Sequence, residues 1–512
     1  MKTKNIIILI ILVSLSGCSG FLDKNPLVNS AAETYYSNAS EANDAVLGCY
    51  AVSQNEASQL GPFMLIGDGC SDDTDLGNDK SEAFSWLGSV AQAMQSFEVQ
   101  SNNWVSNQLW NQGFVGINRA TQIIERVKDN ELIAEADRNQ YVGEAYYLRA
   151  FYYFLLARQY GRLQIVDHVL TYDEYYMPRA SMEETWAHME SDLKKAAELL
   201  KEKSQYSSDY LGRATRGSAN SLLGKVYIYQ GKFAEAYEAL IKVVNSGEYG
   251  LENSYEDVFT LEHENGIESI FEIQHSISGT GWADSNEGSI LSFYEHDADP
   301  DDPVKWHNGW SMHCPTWDLA NAYEEGDPRR GATIIFEGEY FDGRINKNTA
   351  SSTGLQPKKW YIPYDQRSQI DQSDCPKNII FIRYADVLLY LAEAANELGK
   401  TNDALNFLEQ VRDRARSNAE ESNVLPKRTE TGKDALRELI WHERRVELAC
   451  EGQRFWDLVR QGRAGQVMRA YSSKYNSLKG RSFKDGISEL QPIPLTQVTK
   501  SNGTLEQNPG YN

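Results

Sequence analysis

One helical hairpin occurs twice in this chain at a constant offset. Tyr229-Gln230-Gly231-Lys232-Phe233-Ala234-Glu235-Ala236 lines up with Glu397-Leu398-Gly399-Lys400-Thr401-Asn402-Asp403-Ala404. Leu223 then matches Leu391, Leu240 matches Leu408, and Val243 matches Val411. Each copy reads as a helix, a Gly-Lys turn, and a second helix with Ala at the close-packing position. Glycine ends the first helix because it adopts the left-handed cap at no steric cost. Tyr384, Val387, Leu388, Leu391, Ala394, Ala395 and Leu398 fall at the i, i+3, i+4, i+7 spacing of one helix face. Such units bury their stripes only by stacking, which predicts a mainly α scaffold of tetratricopeptide-like hairpins. A long non-helical stretch parts the copies, so the expectation is a scaffold with insertions rather than a regular solenoid.

Further helices are expected at the end of a first segment (Asn43 to Tyr50), over Trp104 to Val127, Glu144 to Tyr160 and Met182 to Leu200, and on both sides of Gly231 from Leu222 to Val244. Leu436 to Leu448 starts another and leads into Glu451-Gly452-Gln453-Arg454-Phe455-Trp456-Asp457-Leu458. Gly61 to Gln100 is rich in Gly, Ser, Asp and Asn and reads as loop. Over 251–376 the helical period disappears, and only short β-like runs such as Ile270 to Ile273 and Thr333 to Phe336 interrupt loops. That stretch carries Trp282, Trp306, Trp310, Trp317 and Trp360, too aromatic for disorder. It reads as a loop-rich insertion on a helical scaffold (30–250 and 377–512), the usual place for a binding site.

Charge and targeting narrow the function. A formal net charge of −23 with no basic stripe sets nucleic acid aside. Lys2, Lys4 and the apolar run Ile6 to Leu15 form an export signal too short to span a bilayer. Leu15-Ser16-Gly17-Cys18 fits a lipobox, which makes 1–17 a signal peptide and Cys18 the acylated first residue of a single 18–512 domain. The remaining cysteines are Cys49, Cys70, Cys314, Cys375 and Cys450, with no Cys-x-x-Cys pair. Cys450 reads as a small buried hydrophobe on a helical face, and one bridge among Cys70, Cys314 and Cys375 stays open.

Catalytic patterns are incomplete. His442-Glu443 would need a second His where Val446 stands, and no nucleophile elbow, phosphate loop or dinucleotide fingerprint is present. Asp72-Asp73-Thr74-Asp75-Leu76-Gly77 has the acid density of a calcium loop without its register, and reads as a solvated acidic loop. No cofactor is implied, and calcium has no support. Glu443, Arg444, Arg445, Glu447, Glu451 and Arg454, with Arg383 and Asp386, read as structural ion pairs rather than a catalytic centre.

Phe381-Ile382-Arg383-Tyr384-Ala385-Asp386-Val387-Leu388-Leu389 with Ala392-Glu393-Ala394, then Glu443 to Leu448, Glu451 to Leu458, Leu490 to Pro494 and Gln507 to Tyr511, occur in that order. This set resembles the SusD/RagB family of outer-membrane nutrient-binding lipoproteins, and the likeness spans nearly the whole chain. Leu148 to Tyr153 resembles the family's first repeats. The resemblance implies a lipid-anchored, non-enzymatic protein of the outer membrane that captures oligosaccharide and passes it to a SusC-like TonB-dependent transporter. It implies peptide capture as an alternative; a surface glycosidase is a further one, since paired carboxylates are not legible in sequence. Sugar rings offer apolar C–H faces that Trp and Tyr stack on while amides and acids bond the hydroxyls. Trp86, Trp282, Tyr294, Trp306, Asn308, Trp310 and Trp317 have that composition, in the two loop regions from which the family builds its glycan platform. Each indole either faces a ligand or packs the loops on the helices, whereas Trp104, Trp110 and Trp456 lie on helical stripes and read as core.

Overall fold

A computed structural model describes residues 35–77, 87–280, 287–295, 309–347, 351–367 and 373–511. The scaffold is helical: α1 (Ala39–Tyr50), α2 (Gly88–Ser96), α3 (Trp104–Val127), α4 (Glu135–Tyr160), α5 (Met182–Leu199), α6 (Arg216–Tyr229) and α7 (Phe233–Ser246), then α8 (Tyr384–Glu397), α9 (Thr401–Ser417), α10 (Lys433–Glu447), α11 (Arg454–Arg460) and α12 (Ala464–Tyr475). Neighbours in sequence stack from α3 to α7, and α7 then packs on α8, which packs on α9 and α10. The two written hairpins, α6–α7 and α8–α9, are thus adjacent in space although far apart in sequence. The insertion loops out between them without interrupting the stack.

The repeat holds in detail. Gly231 and Gly399 both take left-handed φ values, +69° and +73°. In each turn the following lysine N–H reaches back to the helix, Lys232 to Tyr227 O at 3.0 Å and Lys400 to Ala395 O at 2.8 Å. Ala236 and Ala404 are both fully buried, as are the matched Leu240 and Leu408. Between α3 and α4, glycine allows a close approach: a Cβ on Gly116 would lie 2.4 Å from the Tyr152 ring.

Among the described residues there are eight short strands: β1 (Thr74–Asp75), β2 (Ser269–Ile273), β3 (Cys314–Pro315), β4 (Ile334–Phe336), β5 (Tyr340–Phe341), β6 (Arg344–Ile345), β7 (Leu355–Pro357) and β8 (Ile379–Arg383). They pair antiparallel as β1–β3, β2–β8, β4–β7 and β5–β6. The bulged β2–β8 ladder fixes the base of the insertion to the strand that leads into α8. Phe271 and Phe381 from this ladder meet Tyr147 and Phe151 of α4, each at ring-centroid distances of 4.8 Å.

Several expectations need correction. The Gly61-to-Gln100 loop contains a fully buried π-helix over Leu60–Asp68, and α2. Gly61, Pro62 and Gly67 hide this segment from propensity; complete burial of its apolar run overrides them. Asp72 and Asp73 are not solvated but buried, paired to Arg445 and Arg454. Cys450 is buried, yet it sits in the turn after α10 at φ +61° rather than on a helix. Cys70 and Cys314 are buried thiols, donating to Leu65 O at 3.5 Å and Ser311 O at 3.0 Å, so no bridge joins the candidate cysteines. Among the described residues no helix is long and apolar enough to cross a membrane. Cys18 lies outside them.

Candidate functional site

Pairing of β1 with β3 sets Thr74 opposite Pro315 and Asp75 opposite Cys314. It thereby joins the two loop regions flagged in the sequence. Thr316 continues the junction: its N–H bonds Asp73 O at 2.8 Å and its hydroxyl bonds Asp72 O at 2.6 Å. The same hydroxyl caps the single turn Trp317–Ala320 by accepting from Leu319 N–H at 3.2 Å. Trp317 therefore begins a capped turn at the surface.

Its indole is 46% exposed, and its N–H donates to Thr353 O at 3.1 Å. Phe336 lies beside it, 6.1 Å between ring centroids at 54°. The ring is thus held by its N–H edge while nearly half of the residue's surface stays in water. Around it, Ser352 donates to Asp75 at 3.1 Å, and Asp318 accepts from Lys474 at 2.7 Å, Tyr475 at 3.1 Å and Arg445 at 2.9 Å. Burial opposes the Asp318 charge, but Lys474 and Arg445 outweigh it and hold the carboxyl below its usual range. From Asp75 a groove of about 750 Å³ runs between α2 and the segment after α12, lined by Gln92, Gln95, Ser96, Gln100, Ser477 and Ser482 among others. Its amides and hydroxyls are joined by the charged Glu98, Lys479 and Arg481.

Beneath Trp317 lies largely buried charge. Burial disfavours the Asp72 carboxylate, yet Arg445 and Arg454 keep it well below the carboxylate range. His313, just before β3, sits between Glu295 at 2.6 Å and Asp68 at 3.1 Å. Burial lowers its basicity, but the two acids outweigh that and raise it to about 10. Arg383 reaches Glu268, Glu447 and Glu451, Arg329 joins Asp327 to Glu443 and Glu447, and Arg444 joins Asp386 to Asp457. These groups are buried against one another and closed to substrate. Their role is to fix the loops on α8, α10 and α11.

Of the sequence-predicted site residues, Trp86, Trp282, Trp306 and Asn308 lie outside the described residues. Tyr294 is fully buried and cannot face a ligand. Trp310, half-buried, packs on it and on Phe293 at centroid distances of 4.6 and 5.0 Å. These two join the loops to the core, the alternative open in the sequence. Trp360 does the same, donating to Cys450 O at 2.7 Å. Sequence reasoning missed Phe336, Asp75, Tyr475 and the glutamine-lined groove, none of which carries a motif.

Two family models match, SusD family over 267–511 and "Starch-binding associating with outer membrane" over 29–228. The chain belongs to the SusD family. It is 25% identical to SusD-like protein P2 of Formosa agariphila over all of both chains. With SusD-like protein P38 of the same organism it shares 29% over 70% of this chain and 73% of the other. Among solved structures, a laminarin-binding SusD-like protein superposes with a TM-score of 0.77 at 26% identity, covering 92% of this chain and 99% of its own. A SusD homolog from Bacteroides thetaiotaomicron reaches 0.81 at 24% identity over 94% and 98%, which shows the shared helical fold.

Proposed function

We propose that this SusD-family chain is a lipid-anchored outer-membrane protein that captures oligosaccharide without catalysis and delivers it to a TonB-dependent transporter. The observation that carries the reading is the pinned, half-exposed Trp317, linked through Thr353 and the Ser352–Asp75 bond to the start of a groove rich in amides and hydroxyls. A sugar stacks one apolar face on the indole and Phe336, and its hydroxyls exchange water for Gln92, Gln95 and Ser96. Because the Thr353 bond and the capped turn hold the ring, little side-chain entropy is lost on binding. The buried ion pairs keep the platform stiff, and handover requires ligand to favour the transporter's closed state.

Laminarin is the first glycan to test, since a relative of the same fold is described as its binder. Native affinity gels with laminarin, starch and other neutral polysaccharides, run beside a peptide panel, should show retention by a glycan alone. Retention by peptides only would overturn the ligand class. Release of reducing ends by the pure protein, lost with one carboxylate, would overturn the non-catalytic reading.

A further inference from the structure

A second surface has the composition of a sugar site. Between α3 and the segment that follows α4 lies an open cleft of about 490 Å³ that shares no lining residue with the groove beside Asp75. Trp110 and Phe114 form its floor, 5.0 Å apart between ring centroids, and Val166 and Leu170 its wall. Asn111, Asn118, Gln164 and Gln497 bring side-chain amides. The exposed Asn118 amide has no protein partner, and Gln164 spends only its N–H on Met177 O at 3.0 Å. No lysine, arginine, aspartate or glutamate lines the cleft, although such residues make up 24% of the chain. A surface that excludes charge in so acidic a protein suits an uncharged ligand.

At its mouth stands a turn built to hold aromatic rings in water. Tyr172, Tyr175 and Tyr176 are 73%, 58% and 37% exposed, with Tyr172 and Tyr175 edge-to-face at 6.2 Å. Their turn, Tyr172–Tyr176, is closed by a capping box: Glu174 accepts from the Thr171 N–H at 2.7 Å and hydroxyl at 2.8 Å. His168 braces it further, between Asp167 at 2.7 Å and Glu174 at 3.1 Å. The Thr171 bonds hold Glu174 down at about 2, and Asp167 and Glu174 raise His168. Gln497 donates to Asn111 at 2.8 Å, which leaves the Asn118 amide and the Gln164 side-chain carbonyl open; beside them, three exposed tyrosines on a preorganised turn are what reversible stacking on a flat neutral ring needs.

We infer that the cleft between α3 and the Tyr172–Tyr176 turn is a second, uncharged-carbohydrate site, separate from the Trp317 platform, that holds another stretch of the same polysaccharide. The ligand class rests on the glycan reading above; the site does not. Two contacts on one long chain raise its apparent affinity through effective concentration, with no gain for a short oligosaccharide that reaches only one.

The test compares wild type, Tyr172→Ala/Tyr175→Ala, Trp317→Ala and the triple variant, titrated with laminarin and with a short laminari-oligosaccharide. Starch and its oligomers serve as the second pair. Both tyrosines are exposed, so folding should be kept, and an unchanged thermal midpoint verifies it. The tyrosine variant is expected to bind polysaccharide about tenfold more weakly and the oligosaccharide as wild type does. Trp317→Ala should keep a residual polysaccharide affinity that the triple variant loses. Wild-type polysaccharide affinity in the tyrosine variant would overturn the inference and leave the cleft to polypeptide contact. Loss of all binding in Trp317→Ala alone would overturn it too. If Trp317→Ala binds like wild type while the tyrosine variant fails, the Trp317 platform falls and this site stands. If wild type retains no glycan, both fall.

Discussion

Replacing Arg383 by Met tests what holds the loops to the helices. Arg383 is 1% exposed, where β8 turns into α8. It donates to both Glu451 oxygens at 2.8 and 2.9 Å, to Glu268 and Glu447 carboxylates at 2.7 Å each, and to Glu447 O at 2.8 Å. Methionine keeps an unbranched apolar stem but strands three buried carboxylates. They keep other cations: Lys359 at 2.6 Å from Glu451, Arg329 at 3.0 Å from Glu447, and Arg414 at 3.2 Å from Glu268. Deleting one partner of a buried pair costs about 3–5 kcal/mol, and the surviving partners put Arg383→Met near the lower end, about 3 kcal/mol. Lys474→Met is the control. Its ammonium is mostly exposed and bonds Asp318 at 2.7 Å, a pair contributing roughly 0–1 kcal/mol. Urea unfolding followed by tryptophan fluorescence compares them. If Arg383→Met falls within about 1 kcal/mol of wild type, or no lower than the control, the ion-pair network does not hold the insertion.

Three further outcomes are expected. Glu447 and Asp457 are buried against arginines; burial opposes their charge, but Arg414, Arg383 and Arg329 outweigh it at Glu447, and Arg444 and Arg460 bring Asp457 to about 2. Unfolded, both take protons more readily, so their stabilisation is complete above the ordinary carboxylate values and is lost as pH falls below about 4.5. Circular dichroism across an acid titration should show stability falling there, not rising. Gly399→Ala meets no atom within 4 Å, so it carries only the strain of φ +73°, about 1–2 kcal/mol by denaturant midpoint. Burial pushes the Cys49, Cys70 and Cys314 thiols up to about 12, so a thiol reagent should label their peptides, read by mass spectrometry, only after unfolding.

The hairpins were legible because their packing is local: a stripe, a glycine with positive φ and a buried alanine recur at fixed spacing. The boundaries of α3, Trp104–Val127, follow directly from that periodicity. The stacking of α7 on α8 was not legible, since no local pattern says that an insertion leaves its flanking helices in contact. Neither was the π-helix over Leu60–Asp68, whose Gly and Pro argue against a helix until burial decides. At the site, composition could mark aromatics but not which way they face. Tyr294 and Trp310 turn inward because the Ile290-to-Glu295 segment packs on the core, whereas Trp317 turns outward because Thr316 caps its helix and Thr353 takes its N–H. Asp75 meets this region through the β1–β3 pair and the Ser352 hydroxyl, contacts between distant segments that no spacing encodes.

Glycan capture turns on the exposed Trp317. Isothermal titration of wild type and Trp317→Ala with the oligosaccharide that wild type binds best measures its part directly. Stacking of this kind accounts for about 1–3 kcal/mol, so the variant should bind at least about fivefold more weakly while its thermal midpoint stays within a degree or two. Equal affinity in the two proteins would contradict capture at this platform.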